Sequence, residues 1–271
     1  MLSHKPRLIA IDLDGTLLNS TRQISSQTFQ AIQLAVSHGI EIILASGRMF
    51  RNLEQFQVQL NIQNSPSIAS NGAEVRGYNG KVLFQALLPK SVKGEILSIA
   101  ENEKIHLNAY THEELWFLKD DSWGDKYLSR VSPSQRVLVN ADQVMNADIV
   151  KCLLIDEPEV IRKFIKKYQH ILVELDSKIT ESEPEYLEFL PSTTSKGTGL
   201  VSICNAYSIP IQHTIAIGDY LNDLEILQYS GFSVAVANAH PDILAIAELV
   251  TASNDDNGVA LFIQNICERF N

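Results

Sequence analysis

The chain has 271 residues, 45% of them hydrophobic, and a formal net charge of -10. That is enough apolar material for a sizeable core, in one large domain or two modest ones; the acidic balance and a pI of about 5.2 argue against a protein that grips nucleic-acid backbones. The three cysteines, Cys152, Cys204 and Cys267, show neither CxxC nor Cys-His spacing, which argues against a zinc site or a disulfide framework.

The chain start, MLSHKPR, leads directly into RLIAIDL at 7–13, which reads as a short, fully buried strand. No apolar leader precedes it, and no run reaches the roughly 18 apolar residues of a membrane span. A reducing cytoplasm and no membrane partner are the expectation. SSQTFQAIQLAVSHG at 25–39 predicts a helix capped by Ser25 or Ser26, with Phe29, Ile32, Leu34 and Val36 as apolar positions and Gly39 as its stop. IEIILA predicts a second buried strand that ends at Ser46-Gly47-Arg48, and MFRNLEQFQVQLNI a second helix. SIAS reads as a short strand before a turn at Asn71-Gly72. Alternating strand and helix point to a parallel α/β sheet with crossover helices.

The rhythm changes near residue 86. SVKGEILSIAENEK is helical, and IHLNAYT and ELWFLK read as two strands joined by His112-Glu113. SWGDKYLSRV is weakly helical, IVKCLLID a strand, EPEVIRKFIKKYQ a helix opened by Pro158, and ILVELD and EYLEFL further strands. KFIKK at 163–167 is the densest basic stretch and reads as a solvated helix face. From about residue 191 the first rhythm returns. TSKGTGLVSICNAYS is a helix, HTIAIGD a buried strand, and LNDLEILQYSG a helix stopped by Gly231. FSVAVAN, PDILAIAEL and GVALFIQNICERF continue the alternation, without an internal repeat. The expected layout is one α/β domain, 1–86 with 191–271, interrupted by an α+β unit at 87–190.

Three strand-like runs end in polar, reactive residues: DLDGT at 12–16, SGR at 46–48 and GDYLND at 218–223. Ligands of open parallel sheets bind outside the carboxyl ends of the strands. If these strands are parallel neighbours, Asp12, Asp14, Ser46 and Asp219 share one crevice, and Lys196 could project into it. Clustered carboxylates call for a hard divalent cation such as Mg2+. Lys196, the Ser46 hydroxyl and backbone N–H groups near Gly47 suit a phosphate. The parts of phosphoryl transfer are then present: a carboxylate nucleophile, a cation and donors for the phosphoryl oxygens.

On these motifs the chain resembles the haloacid dehalogenase superfamily, in its Cof-type (IIB) phosphatase branch. DLDGT, Ser46 in ASGR, Lys196 in TSKG and GDYLND occur in the family's order, with SNGA at 70–73 and a late Asn238-Ala239 as branch features. The resemblance spans the whole chain and implies a Rossmann-like core with an inserted C2-type cap. It implies that Asp12 is the nucleophile and Asp14 the acid and then the base. It further implies Mg2+ held by the Asp12 and Asp219 side chains and the Asp14 carbonyl, with Asp223 either behind these ligands or reaching the metal through water. Phosphate contacts would come from the Leu13 backbone, Ser46, Gly47, Lys196 and Asn222, with Arg48 a candidate substrate contact. Tyr220, Glu225 and Leu244 depart from the family's usual residues and leave the substrate open.

Simpler readings stand beside these. Ser46 and Asn222 can be helix caps, Asp223 a helix N-terminal charge, and Trp116 and Trp123 core of the inserted unit. Glu113, Glu114 and Trp116 are candidates for setting specificity. The expected activity is Mg2+-dependent hydrolysis of a small phosphorylated metabolite, such as a sugar phosphate, nucleotide-like phosphate or pyridoxal phosphate. A phosphomutase, or a silent phospholigand-binding protein, are the alternatives.

Overall fold

The computed structural model describes residues 4–131 and 136–270. The chain start at residues 1–3 lies outside them. The first part of the chain forms β1 (Leu8–Ile11), α1 (Ser26–Ser37), β2 (Glu41–Ala45), α2 (Phe50–Gln59), β3 (Ser67–Ala69), β4 (Glu74–Arg76) and β5 (Val82–Gln85). Next come α3 (Lys90–Glu103), β6 (His106–Tyr110), β7 (Leu115–Phe117), α4 (Ser122–Arg130), β8 (Val137–Leu138) and α5 (Ala141–Asn146). They are followed by β9 (Lys151–Ile155), α6 (Pro158–Glu174), β10 (Ser177–Glu183) and β11 (Tyr186–Pro191). The last part holds α7 (Lys196–Ala206), β12 (Thr214–Gly218), α8 (Leu224–Tyr229), β13 (Phe232–Ala235), α9 (Pro241–Ile246), β14 (Leu249–Val250) and α10 (Gly258–Arg269).

Among the described residues, the first and last parts share one eight-stranded sheet, ordered β14-β13-β12-β1-β2-β3-β4-β5. It is parallel from β14 to β3, and β4 and β5 extend it antiparallel. Its central strands are solvent-free: Leu8, Ile9 and Ile11 of β1 are 0% exposed, as are Ile42, Ile43 and Leu44 of β2. Burying each such side chain contributes roughly 1.5–3 kcal/mol, which is why these strands read as unbroken apolar runs rather than alternating ones. Strand β1 lies between β2 and β12, so the chain winds to one side from β1 and to the other from β12. This reversal of winding opens a crevice at the carboxyl end of β1.

The middle part forms a second sheet, β10-β11-β9-β6-β7-β8, antiparallel except for the β7–β8 pair. Its own apolar cluster lies under α3 and α6 and includes Ile96, Leu107, Leu154, Ile161, Phe164 and Phe189. A third cluster joins the two sheets, with Met49 and Ala73 of the first part against Tyr110, Phe117, Leu153 and Tyr186. The mixed α/β class and the second α+β unit agree with the expectation.

Three local expectations are corrected. ILVELD is not a strand, because α6 runs on to Glu174. Ile161, Phe164, Tyr168 and Leu172 recur at helical spacing on its buried side, and Val173 is left 78% exposed. In α1 the buried stripe is Thr28, Ala31, Ile32 and Ala35, whereas Leu34 and Val36 face solvent; Ser25 provides the cap, accepting from the Thr28 N–H at 3.0 Å. The β6–β7 connection is a four-residue turn, Thr111 to Glu114, closed by Thr111 N–H donating to the Glu114 carbonyl at 3.0 Å.

Candidate active site

Pairing register aligns the strand ends. Ile11 stands beside Ile217 of β12 and Leu44 of β2, so Asp12, Ser46 and Asp219 emerge together at the carboxyl edge. The Asp12 N–H still donates to the Ile217 carbonyl at 3.0 Å. Just beyond, the Leu17 and Leu18 N–H groups return to the Asp12 and Leu13 carbonyls at 3.2 and 2.9 Å. Gly15 makes this turn possible, with φ at +83°, and any Cβ there would collide with Asp219 Oδ2. Thr16 Oγ1 donates to Asp219 Oδ1 at 2.8 Å and fixes that carboxylate against the turn.

Lys196 opens α7 behind a reciprocal cap between Ser195 and Thr198. It is 0% exposed, and its ammonium donates to Asp12 Oδ1 at 2.5 Å and to Asp223 Oδ1 at 2.6 Å. The other oxygen of Asp223 accepts the backbone N–H groups of Asp219 and Tyr220 at 3.0 and 3.2 Å. One Asp223 oxygen thus holds Lys196 and the other shapes the loop.

One ammonium does not balance three buried carboxylates. Burial pushes the Asp12 carboxyl well above its ordinary range; the Asp223 charge adds to that, and Lys196 opposes it. Burial, then the Asp223 charge, pushes Asp219 up to about 7. For Lys196, burial works against the charge, but Asp12 and Asp223 hold its pKa above the ordinary lysine value. Asp12, Asp219 and Asp223 each offer an oxygen, and the three lie within 4.8 Å of one another. An all-oxygen, net-negative donor set of this kind fits a hard cation such as Mg2+.

Asp14 points elsewhere. Its carboxylate takes a two-pronged hydrogen bond from Arg48, Nε to Oδ2 at 2.8 Å and a terminal nitrogen to Oδ1 at 2.6 Å. The Arg48 guanidinium also lies 5.1 Å above the Phe56 ring. Burial disfavours the Arg48 charge, yet the bonds to Asp14 raise its pKa. The Asp14 side chain remains 40% exposed, whereas Asp12 is nearly sealed. Two carboxylates two residues apart thus occupy opposite environments.

Ser46 is not a helix cap. Its Oγ accepts the Arg48 N–H at 3.1 Å, and α2 starts behind Met49 without a side-chain cap. Nor is Asn222 a cap, since its amide donates to Asn71 Oδ1 at 3.1 Å. The cleft above Asp12 has a volume of about 60 Å³ and is lined by Asp14, Ser46, Gly47, Arg48 and Asn222, as well as by residues of the middle part of the chain. Those are Tyr127, Val131, Lys151, Ser182, Glu183, Tyr186 and Glu188. Sequence reading missed all of them; the available signal was Lys151 and Glu188, charges set inside apolar strand runs. Glu114 instead bonds the Trp116 indole at 2.8 Å on the hairpin. Trp116 and Trp123 pack at the edges of the apolar clusters rather than on the cleft. A larger cavity of about 590 Å³ lies alongside, walled by α6, β10 and β11 and by the starts of α7 and α8. Apolar side chains such as Leu172, Ile179 and Leu224 dominate its walls, and Lys196, Asn71 and Asn222 line the side of it nearest the cleft.

Residues 9–263 match the family model of haloacid dehalogenase-like hydrolases. The chain is 29% identical to the phosphatase YwpJ of Bacillus subtilis, over 96% of this chain and 99% of that protein. It is 28% identical to YwtE of the same organism, a 5-amino-6-(5-phospho-D-ribitylamino)uracil phosphatase, over 96% and 98%. A solved haloacid dehalogenase-like hydrolase from B. subtilis superposes with a TM-score of 0.85 at 28% identity, covering 95% of this chain and 99% of that one. No helix among the described residues is long and apolar enough to cross a membrane.

Proposed function

The chain belongs to the haloacid dehalogenase-like hydrolases, and on that premise we propose that it is a Mg2+-dependent phosphatase of small metabolites, working through an aspartyl-phosphate on Asp12. The observation that carries this reading is the contrast between Asp12, sealed against the Lys196 ammonium, and Asp14, held apart by Arg48. Paired carboxylates in unlike environments suit two different roles.

In this reading Ser46 Oγ, the Gly47 N–H, the Leu13 backbone, Lys196 and Asn222 receive the phosphoryl oxygens. An Asp12 oxygen forms the bond to phosphorus as the bond to the leaving oxygen breaks, and Asp14 gives that oxygen its proton. Asp14, now a carboxylate, takes a proton from water, whose oxygen attacks the same phosphorus. The Asp12 carboxylate is restored and inorganic phosphate leaves. Asp12 and Asp219, with the Asp14 carbonyl, would hold Mg2+, and Asp223 would orient Lys196 and the loop behind them. Bound Mg2+ supplies charge neutralisation for the transferring group. The second unit, roughly 87–190, would act as the cap over the cleft.

Arg48 grips Asp14 with two hydrogen bonds, which would orient its carboxyl for the proton-transfer steps. Arg48→Met should lower kcat by about 10²-fold, the scale of acid–base assistance, with little change in KM. An effect mainly on KM would instead place Arg48 on the substrate. The substrate classes to screen are sugar phosphates, nucleotide-like phosphates and pyridoxal phosphate. The ribityl phosphate in the name of YwtE supports including polyol phosphates. Phosphate release from such a panel with Mg2+ is the direct test. Absence of release from every member, or recovery of the phosphate on a second hydroxyl, would overturn hydrolysis.

A further inference from the structure

The SNGA turn and two charges of the second sheet have no part in the chemistry above, yet they meet at the phosphate loop. Three successive carbonyls of that loop are held. The Ser46 carbonyl accepts the Asn71 N–H at 3.0 Å and the Arg48 carbonyl accepts the Ser70 N–H at 2.8 Å. The carbonyl between them, on Gly47, accepts from Lys151 Nζ at 2.7 Å. The first two bonds lie within the first sheet's own loops, whereas the third crosses from β9 of the second sheet.

A trans peptide sets its N–H opposite its C=O. With the Ser46 carbonyl turned to Asn71, the Gly47 N–H faces away from that turn, and the Arg48 N–H is taken by Ser46 Oγ. The Gly47–Arg48 peptide therefore depends on Lys151 for its remaining anchor. A Cβ at Gly47 would press on this network, 3.1 Å from the Asn71 amide nitrogen.

Lys151 is 1% exposed and is balanced by Glu188, 3% exposed, at 3.1 Å. Glu188 accepts from Ser182 Oγ at 2.5 Å and, across the boundary, from Asn71 Nδ2 at 2.6 Å. The opposite end of the Asn71 amide accepts from Asn222. One connected path thus runs from the second sheet through Asn71 to Asn222, and another through Lys151 to Gly47. A buried ion pair of this kind is a poor source of stability; its best-attested use is to specify one arrangement over others.

We propose that Lys151, Glu188 and Asn71 are positioning residues that complete the phosphate cradle only when the second sheet is closed on the first. Lys151 sets the Gly47–Arg48 peptide, and Glu188 sets Asn222 through Asn71. This inference rests on the phosphatase reading. Lys151→Met, Glu188→Gln, their double variant and Asn71→Gly are compared as full chains with Mg2+. Asn71→Gly leaves the ion pair intact and permits the local backbone, where Asn71 has φ of +51°. Lys178→Met is the control, since Lys178 pairs with Glu225 across the same boundary without touching the cradle.

The readouts are the inhibition constant of inorganic phosphate against an aryl phosphate, its binding by calorimetry, and thermal melting. The phosphate constants should rise about tenfold in each single cradle variant, and the double variant should be no worse than the weaker single, as for residues acting as a unit. Lys178→Met should leave them within about twofold. Unchanged constants in folded cradle variants, or an equal rise in Lys178→Met, would overturn the proposal. Should Lys151→Met and Glu188→Gln not fold, Asn71→Gly decides. A parent protein that binds phosphate but hydrolyses nothing would fail the phosphatase reading alone, since calorimetry still reports the cradle.

Discussion

Asp12→Asn should abolish phosphate release from an aryl phosphate, by about 10⁴-fold or more, the scale seen when a covalent nucleophile is removed. The substitution keeps the side-chain shape and an oxygen for Lys196, so the fold should persist. It even removes a carboxylate whose charge is disfavoured by burial and by Asp223, so the melting temperature should hold or rise. Loss of rate with a preserved melting temperature separates chemistry from folding. Asp14→Asn should behave differently on the same substrate. A nitrophenolate leaves without needing a proton, so the first step survives, while water attack loses its base. That variant should give one burst of nitrophenol per active site and then stall as aspartyl-phosphate. Substantial steady turnover by Asp12→Asn, or equal and burst-free loss in both variants, would contradict the division of roles.

The legible part of this site was the part written in local contrast. Asp12 closes a strand in which every residue is buried, and a carboxylate at such a place needs a partner. Asp219 ends another buried run, so the same contrast marked it, whereas Lys196 was placed by its position at the start of a helix and by the family motif. Strand order then brought them together, because β1 lies between β2 and β12. What stayed hidden depends on contacts between distant parts. Strand β10, SKITESE, is half-buried throughout and carries no apolar alternation, because pairing with β11 rather than a core face defines it. Ile171-Leu172-Val173 looked like a strand for its branched residues, yet Leu172 continues the helical stripe of Ile161 and Phe164. Lys151 and Glu188 carried the signal that found Asp12, a charge in an apolar run. Their partners, Gly47 and Asn71, lie 104 and 117 residues away in sequence.

Removing divalent cations should stop turnover outright and also reverse the pH dependence of stability at the site. Asp219 has a folded-state pKa of about 7 against an ordinary 3.8. Between those values the folded protein binds a proton that the unfolded chain does not, so stability falls as pH rises. Below about 4 both states are protonated and the effect vanishes; above about 7 the cost is complete. A shift of this size corresponds to about 4 kcal/mol at most, and Asp12, displaced in the same direction, adds to it. Metal-free protein should therefore melt higher at about pH 5 than at about pH 8. Mg2+ binds the ionised carboxylates, so it should raise the melting temperature most at the higher pH, by mass action on the folded state. Asp219→Asn should flatten the metal-free profile and weaken the Mg2+ response together, because one carboxylate causes both. The acidic cluster would then be unfavourable for the fold alone and justified by the cation. Full turnover in chelator, or a melting profile that Mg2+ shifts equally at both pH values, would break that link.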